Sequence, residues 1–247
     1  MANVESYLEL SALLATMRGT VAVVLGGSRA VGTATKDSDI DLGVYYRGQM
    51  DLSALAALGT VYPPGSWGRL MNGGAWLQIG GTKVDVLLRD LDVVEHWTAR
   101  AQEGQFEIDN LLGYVAGAPT YLLLAERAVS VTLHGILPSA PSYPELLAQR
   151  GPRRWRYNAK FSLDYARMHA LRGDTIGSVA HASKAVLEEA HARLSAQRSW
   201  VLNEKSLVER AGLQELQARF GSVPDSTTSL HGWLDSLEAE LFATGPG

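Results

Sequence analysis

Residues 24–46 read VLGGSRAVGTATKDSDIDLGVYY and join a glycine-rich turn to two aspartates, Asp39 and Asp41, in an alternating segment. A β-branched run, TVAVVL (20–25), leads into the turn and reads as a strand buried on both faces. DIDLGVYY reads as a second strand. Side chains alternate along a strand, so Asp39 and Asp41 project from one face while Ile40 and Leu42 take the other. Two carboxylates that close repel, and each resists ionisation unless a cation lies between them. Hard oxygen ligands at this spacing suit Mg²⁺. A second ion needs a shared ligand and one more carboxylate. Asp85 is the candidate: in TKVDVLL (82–88) it is a lone acid between Val84 and Val86, costly to bury unless something pairs with it. Plainer readings stand beside these. Asp39 and Asp41 could leave a solvated KDS turn, and Asp85 could face outward on an edge strand.

Three chemistries begin with a strand and a glycine turn. GGSRAVG looks like the cofactor turn of short-chain dehydrogenases, in which glycines let a helix amino terminus approach a pyrophosphate. That family also needs a tyrosine four residues before a lysine. No tyrosine here has one, and Tyr157 and Lys160 are three apart. In a phosphate-binding P-loop, Gly27 and Gly32 have the right spacing, but Thr33 stands where the lysine should be. Only a metal-dependent transfer reaction uses the aspartates as well as the turn.

Gly27–Ser28, then Asp39-x-Asp41, then a third acid on a later strand, resembles the nucleotidyltransferase fold of the DNA polymerase β superfamily over roughly residues 20 to 90. The resemblance implies that Gly27, Ser28, Arg29 and the turn amides hold the nucleotide's phosphates. It implies that Asp39, Asp41 and Asp85 hold two Mg²⁺ ions. The chain's length and layout look like the aminoglycoside and lincosamide nucleotidyltransferases, which pair such a domain with a helical bundle. The implied reaction moves a nucleoside monophosphate from an NTP, expected to be ATP, to a hydroxyl of a small molecule such as an antibiotic, releasing pyrophosphate. Transfer to RNA or protein, as in a toxin–antitoxin system, and a non-catalytic nucleotide-binding module are the alternatives.

Bulk properties agree with a globular enzyme. The chain has 247 residues, 46% hydrophobic, with net charge −4 and no cysteine. There is no global basic field to attract nucleic acid, no disulfide framework and no thiolate metal site. MANVESYLELSALLATM lacks the basic flank and continuous apolar core of a signal peptide or membrane span, so a cytoplasmic protein is expected. Oligomeric state is not legible.

Around the motif, helical spacing from Val4 to Met17 stops at Gly19, and DLSALAALG (51–59) reads as a short helix with Asp51 as N-cap. AWLQI and TKVDVLL flank Gly80–Gly81, a hairpin signature. RDLDVVEHWTARAQEG (89–104) is helical again. From about residue 105 strand signals nearly vanish. Helices are expected near 109–117, 119–133, 152–172, 174–198, 203–211 and 229–242, with breaks at LHGILPSAPSYP (133–144) and RGP (150–152). The expected class is α+β: a mixed-sheet nucleotidyltransferase domain over 1–104, then a helical substrate-binding domain over 105–247.

In the helical half, Ile176, Val179, Ser183, Val186, Ala190 and Leu194 form an expected buried stripe. His181, Lys184, Glu188 and His191 form a polar stripe beside it, read as a solvated face with a Lys184–Glu188 pair. A sharper reading puts Lys184 against the triphosphate. WVLNEKSLVERAGL (200–213) is similar to a segment of bacterial relatives in which a lysine faces the nucleotide, which would make Lys205 a second phosphate cation, with Asn203 as a helix N-cap. Arg153, Arg156 and Lys160 read as a solvated basic face, and Tyr157, Phe161, Tyr165 and Met168 as core. Antibiotic-modifying relatives use a glutamate near the cleft as base. Glu107 and Asp109 are the nearest in sequence to that role, although both could be helix-start acids. They and Glu204 are the acids a polycationic acceptor would need. Trp67, Trp76 and Trp97 could line a substrate pocket or fill the core.

Overall fold

The computed structural model describes residues 6–32, 34–35, 38–224 and 226–243. Val4, Thr33, Lys36 and Asp37, which entered the readings above, lie outside them. The chain divides into two compact units, one of residues 1–100 and 123–142, the other of 101–122 and 143–247.

The first unit holds helices α1 (Tyr7–Thr16), α2 (Gly27–Ala30) and α3 (Gly68–Met71), strands β1 (Thr20–Leu25), β2 (Ile40–Tyr46), β3 (Gly59–Tyr62), β4 (Gly74–Ile79) and β5 (Thr82–Asp90), and most of α4 (Leu91–Gln102). A capping box between Ser6 and Glu9 starts α1. Gly80 and Gly81 both lie in the left-handed region and close the β4–β5 hairpin as expected. Residues 51–59 are not an α-helix. Asp51 Oδ1 accepts from the Ser53 amide at 2.9 Å, and only a single 3₁₀ turn, Ser53–Leu55, forms.

Later elements are β6 (Ile108–Asp109), β7 (Ala118–Pro119), α5 (Leu122–Val129), β8 (Val131–Gly135), α6 (Glu145–Leu171), α7 (Thr175–Ala196), α8 (Leu207–Arg210), α9 (Gln217–Phe220) and α10 (Thr227–Leu241). β8 completes a mixed six-stranded sheet in the order β3-β4-β5-β2-β1-β8. Only β2 and β5 run parallel in it. The helix expected over 119–133 therefore ends at Val129, and the chain returns to the sheet, pairing Val23 with His134.

One face of the sheet is core. Val23, Ile40, Leu42, Val44, Ala75, Leu77, Ile79, Val84, Val86 and Leu88 pack with Leu10 and Leu14 of α1. Parity then fixes the other face: Asp41, Gly43 and Tyr45 on β2, Lys83, Asp85, Leu87 and Arg89 on β5, Trp76 and Gln78 on β4.

The second unit is mainly helical, and no helix among the described residues is long and apolar enough to cross a membrane. α6 begins at Glu145 and runs straight through the expected RGP break, with Pro152 inside it. A side chain at Gly151 would come within 2.4 Å of Ser195 Oγ, so the glycine lets α6 approach α7 closely and that packing outweighs the cost of an internal proline. The expected 109–117 helix is absent. The short β6–β7 ladder and turns take its place, so Glu107 and Asp109 are not helix-start acids. Of 203–211 only α8 is α-helical. Ser206 is its N-cap, and Asn203 instead accepts from the Lys205 amide at 2.9 Å.

Two faces of the long helices differ from expectation. Trp155, Ala159, Leu163, Ala166 and Ala170 are the buried side of α6, which leaves Met168 and a ladder of three rings, Tyr157, Phe161 and Tyr165, exposed. On α7, Ile176 is exposed while Glu188 and His191 are buried. Both helices offer small residues to one another, and side chains flanking that seam are covered or uncovered accordingly.

Candidate active site

The turn and the first acid strand are built as one piece. The Gly26 amide donates to the Asp41 carbonyl at 2.8 Å, and Gly27 has φ +59°. A Cβ on Gly27 would lie 1.8 Å from Asp41 Oδ2, so only glycine fits there. Arg29 donates to the Ser38 carbonyl at 2.8 Å and to that of Asp39 at 3.4 Å, fixing the chain just before the acids.

Asp41 and Asp85 are direct partners in the parallel β2–β5 register, and Asp39 lies two residues before Asp41. Burial, then Asp85, then Asp39, holds the Asp41 carboxyl above its usual range, with Lys83 opposing. Asp85 Oδ1 is buried and accepts no hydrogen bond among the described residues. That orphaned oxygen is what a missing cation would leave behind. In donor chemistry the residues therefore fit a divalent metal.

Sequence reasoning overlooked Lys83. Its ammonium lies 2.9 Å from Asp39 Oδ2 and 3.0 Å from Asp85 Oδ2. Among the described residues, no three acid or imidazole side chains converge on one metal-sized point. The signal was present, because alternation in TKVDVLL puts Lys83 on the face of Asp85.

Farther along that face, Arg89 is only 2% exposed and meets Glu126 of α5 in a two-pronged pair, at 2.6 and 2.7 Å. It also donates to the Met71 carbonyl at 3.1 Å. This pair ties the returning segment to β5. Glu126→Ala is expected to destabilise the protein by about 3 kcal/mol, since it strips a buried guanidinium of its carboxylate. Denaturant unfolding reads this directly, and a loss below about 1 kcal/mol would mean that the carboxylate contributes little there.

The other nominated residues belong to the second unit. Lys184 Nζ lies 3.8 Å from Glu188 Oε1, the expected pair, but Glu188 is buried and also accepts from Ser162 at 2.7 Å. Burial raises the Glu188 carboxyl's pKa. Lys205 is exposed. Both oxygens of Glu204 are engaged, accepting from the amides of Val115 at 2.6 Å and Ala116 at 2.8 Å. Glu107 is tied through its backbone amide to Thr120 Oγ1 at 3.1 Å. Trp97 is buried with Arg69 over its ring, whereas Trp76 is half exposed.

Residues 9–101 match the family model described as a nucleotidyltransferase domain. Similar solved structures include a nucleotidyltransferase-like protein from Exiguobacterium sibiricum, 13% identical, with TM-score 0.47 over 95% of this chain and 71% of that one. They also include an aminoglycoside 6-adenyltransferase from Bacillus subtilis, 10% identical, with TM-score 0.28 over 97% of this chain and 90% of that one. No curated protein matches the sequence. The segment that carries the glycine turn and all three acids lies within the residues that match the nucleotidyltransferase domain model.

Proposed function

We propose that the enzyme transfers a nucleoside monophosphate, AMP from ATP, to a hydroxyl of a small molecule and releases pyrophosphate. The observation that carries this reading is the pairing of Asp41 with Asp85 across two parallel strands, with one Asp85 oxygen buried and unsatisfied. Asp39 and Asp41 would hold two Mg²⁺ ions, and Asp85 would complete the site on the acceptor side. When bound, the metals supply charge neutralisation of the triphosphate and a more acidic acceptor hydroxyl. The protein's own work is alignment: Gly27 keeps the turn against Asp41, and Ser28 and Arg29 are the proposed grip on the triphosphate. Lys184 and Lys205 are the proposed cations for the β- and γ-phosphates. Glu107 and Asp109 are the proposed bases. Glu204, with both oxygens engaged by backbone amides, is the weaker choice.

The test is pyrophosphate release from ATP and Mg²⁺ with separate pools of hydroxylated small molecules (antibiotics among them), tRNA and protein, with Asp41→Ala as blank. Release with the small-molecule pool alone supports the proposal. Release only with tRNA or protein would replace it. Metal-dependent ATP binding in calorimetry without pyrophosphate release in any pool would favour a non-catalytic nucleotide-binding module.

Lys83 offers a measurement independent of turnover. Its ammonium occupies the space between two proposed ligands, so a divalent ion must displace it. Lys83→Ala is expected to tighten Mn²⁺ binding roughly fivefold, the equivalent of about 1 kcal/mol of exposed ion pairing lost from the competing state. Calorimetric titration of both proteins with Mn²⁺ checks this. Weaker binding by the variant would show that Lys83 assists the metal rather than competing with it.

A further inference from the structure

Beside Asp85 the sheet face changes from charged to aromatic. Trp76 is the direct cross-strand partner of Asp85, and Thr60 is the partner of Trp76, so Thr60, Trp76, Asp85 and Asp41 form one continuous row across β3, β4, β5 and β2. Directly paired side chains on neighbouring strands stand about 5 Å apart at Cβ. Trp76 keeps 49% of its surface exposed although its neighbours Ala75 and Leu77 are in the core.

The ring is not loose. Tyr62 meets it edge-on with centroids 4.6 Å apart, and Trp67 stacks on it at 5.7 Å with 26° between planes. Trp67 is held in turn. Its amide donates to the Asn72 carbonyl at 3.0 Å, and the Asn72 side chain accepts from the Gly65 amide at 2.8 Å and donates to the Tyr46 hydroxyl at 2.6 Å. Gly74 makes room, since a Cβ there would lie 3.0 Å from the Trp67 ring. Three aromatic rings are thus fixed in advance on the face that carries the acids, at the end of the row nearest Asp85.

We propose that Tyr62, Trp67 and Trp76 form a platform for the acceptor, and that the acceptor is a neutral, hydroxylated saturated ring. This rests on the reading of Asp85 as the acceptor-side acid. A flat indole face takes the C–H face of such a ring by dispersion, with the ring's hydroxyls left at its rim. Gln78, exposed and paired in register with Lys83, supplies an amide for a further hydroxyl. On β3 and β4 this face carries Thr60, Tyr62, Trp76 and Gln78 and no carboxylate, while the Lys83 ammonium stands beside Asp85. That charge pattern disfavours a polycation and favours an uncharged ring.

Calorimetry with three probes of similar size tests the platform: a methyl glycoside of a disaccharide, an open-chain polyol and a linear polyamine. The glycoside is expected to bind at least tenfold more tightly than either other probe. Trp76→Ala should weaken glycoside binding roughly tenfold, and Trp76→Phe should retain most of it. Trp76→Leu keeps apolar bulk against Tyr62 while removing the flat face, and should behave as the alanine variant if that one fails to fold. Equal glycoside binding by wild type and Trp76→Leu, or tighter binding of the polyamine, would overturn the proposal. Trp76-dependent glycoside binding by a protein that releases no pyrophosphate with any acceptor would keep the platform and remove the transfer reading. Pyrophosphate release with an acceptor whose KM is unchanged in Trp76→Leu would do the reverse.

Discussion

Asp41→Asn is expected to lower metal-dependent nucleotide transfer by about three orders of magnitude while raising the melting temperature of the metal-free protein. The loss follows from position. Asp41 is the acid shared by turn and sheet: its carbonyl receives the Gly26 amide, its carboxylate fills the space beside Gly27, and its strand partner is Asp85. A ligand to both proposed ions supports several kcal/mol of transition-state charge stabilisation, and each factor of ten in rate is about 1.4 kcal/mol. The gain in stability has a separate cause. Burial and the neighbouring Asp85 and Asp39 all work against a charge on Asp41, and only Lys83 opposes them. A neutral amide of the same shape removes that repulsion and leaves the backbone contact to Gly26 intact. Thermal melts with and without Mg²⁺ and ATP separate the effects. Wild type should gain stability from the nucleotide and metal, and Asp41→Asn should start higher and gain little. A variant that transfers nucleotide at the wild-type rate would remove Asp41 from the metal site. A variant that melts lower without metal would show that the carboxylate is structural.

What could be read from sequence was local in origin. Asp39-x-Asp41 needs only strand alternation to put two acids on one face, and Gly80–Gly81 needs only the backbone geometry of a two-residue turn. Asp85 was found because an acid in a β-branched run has few cheap explanations. The features that escaped depend on partners far away in the chain. β8 follows directly on the helix-favouring LLLAERAV, and its strand character comes from pairing with β1, some hundred residues earlier. Pro152 reads as a helix breaker until Gly151 is seen to admit Ser195. Helical periodicity singled out a basic and an aromatic stripe on α6 and read the aromatic one as core, whereas the inward stripe is a third one. Ala159, Ala166 and Ala170, with Leu163 among them, took the contact, and the larger rings stayed outside.

The same closeness of the two helices buries His191, and the consequence is a strong dependence of stability on acid. His191 is 1% exposed, stacks on Trp155 at 4.2 Å and 11°, and has no hydrogen-bond partner at either ring nitrogen among the described residues. Burial, with a smaller contribution from Arg210, pushes its pKa down to about 3. In the unfolded chain the imidazole titrates near pH 6.5. Between these values the unfolded state binds a proton that the folded state refuses, so stability from this group is complete above about pH 6.5 and falls as the pH drops toward 3. At pH 4 the loss is about 3 kcal/mol, a large part of a typical domain's total. His191→Phe keeps a flat ring against Trp155 and removes both unsatisfied nitrogens. It should be at least as stable as wild type at pH 7.5 and increasingly more stable at lower pH. Other groups titrate in the same range, Glu188 with the opposite sign because its pKa is raised, and they act equally in both proteins. The difference between the two unfolding curves therefore isolates His191. Denaturant midpoints from pH 7.5 to 4 should diverge by the amount above, and parallel curves would mean that the ring is protonated inside the folded protein at no cost.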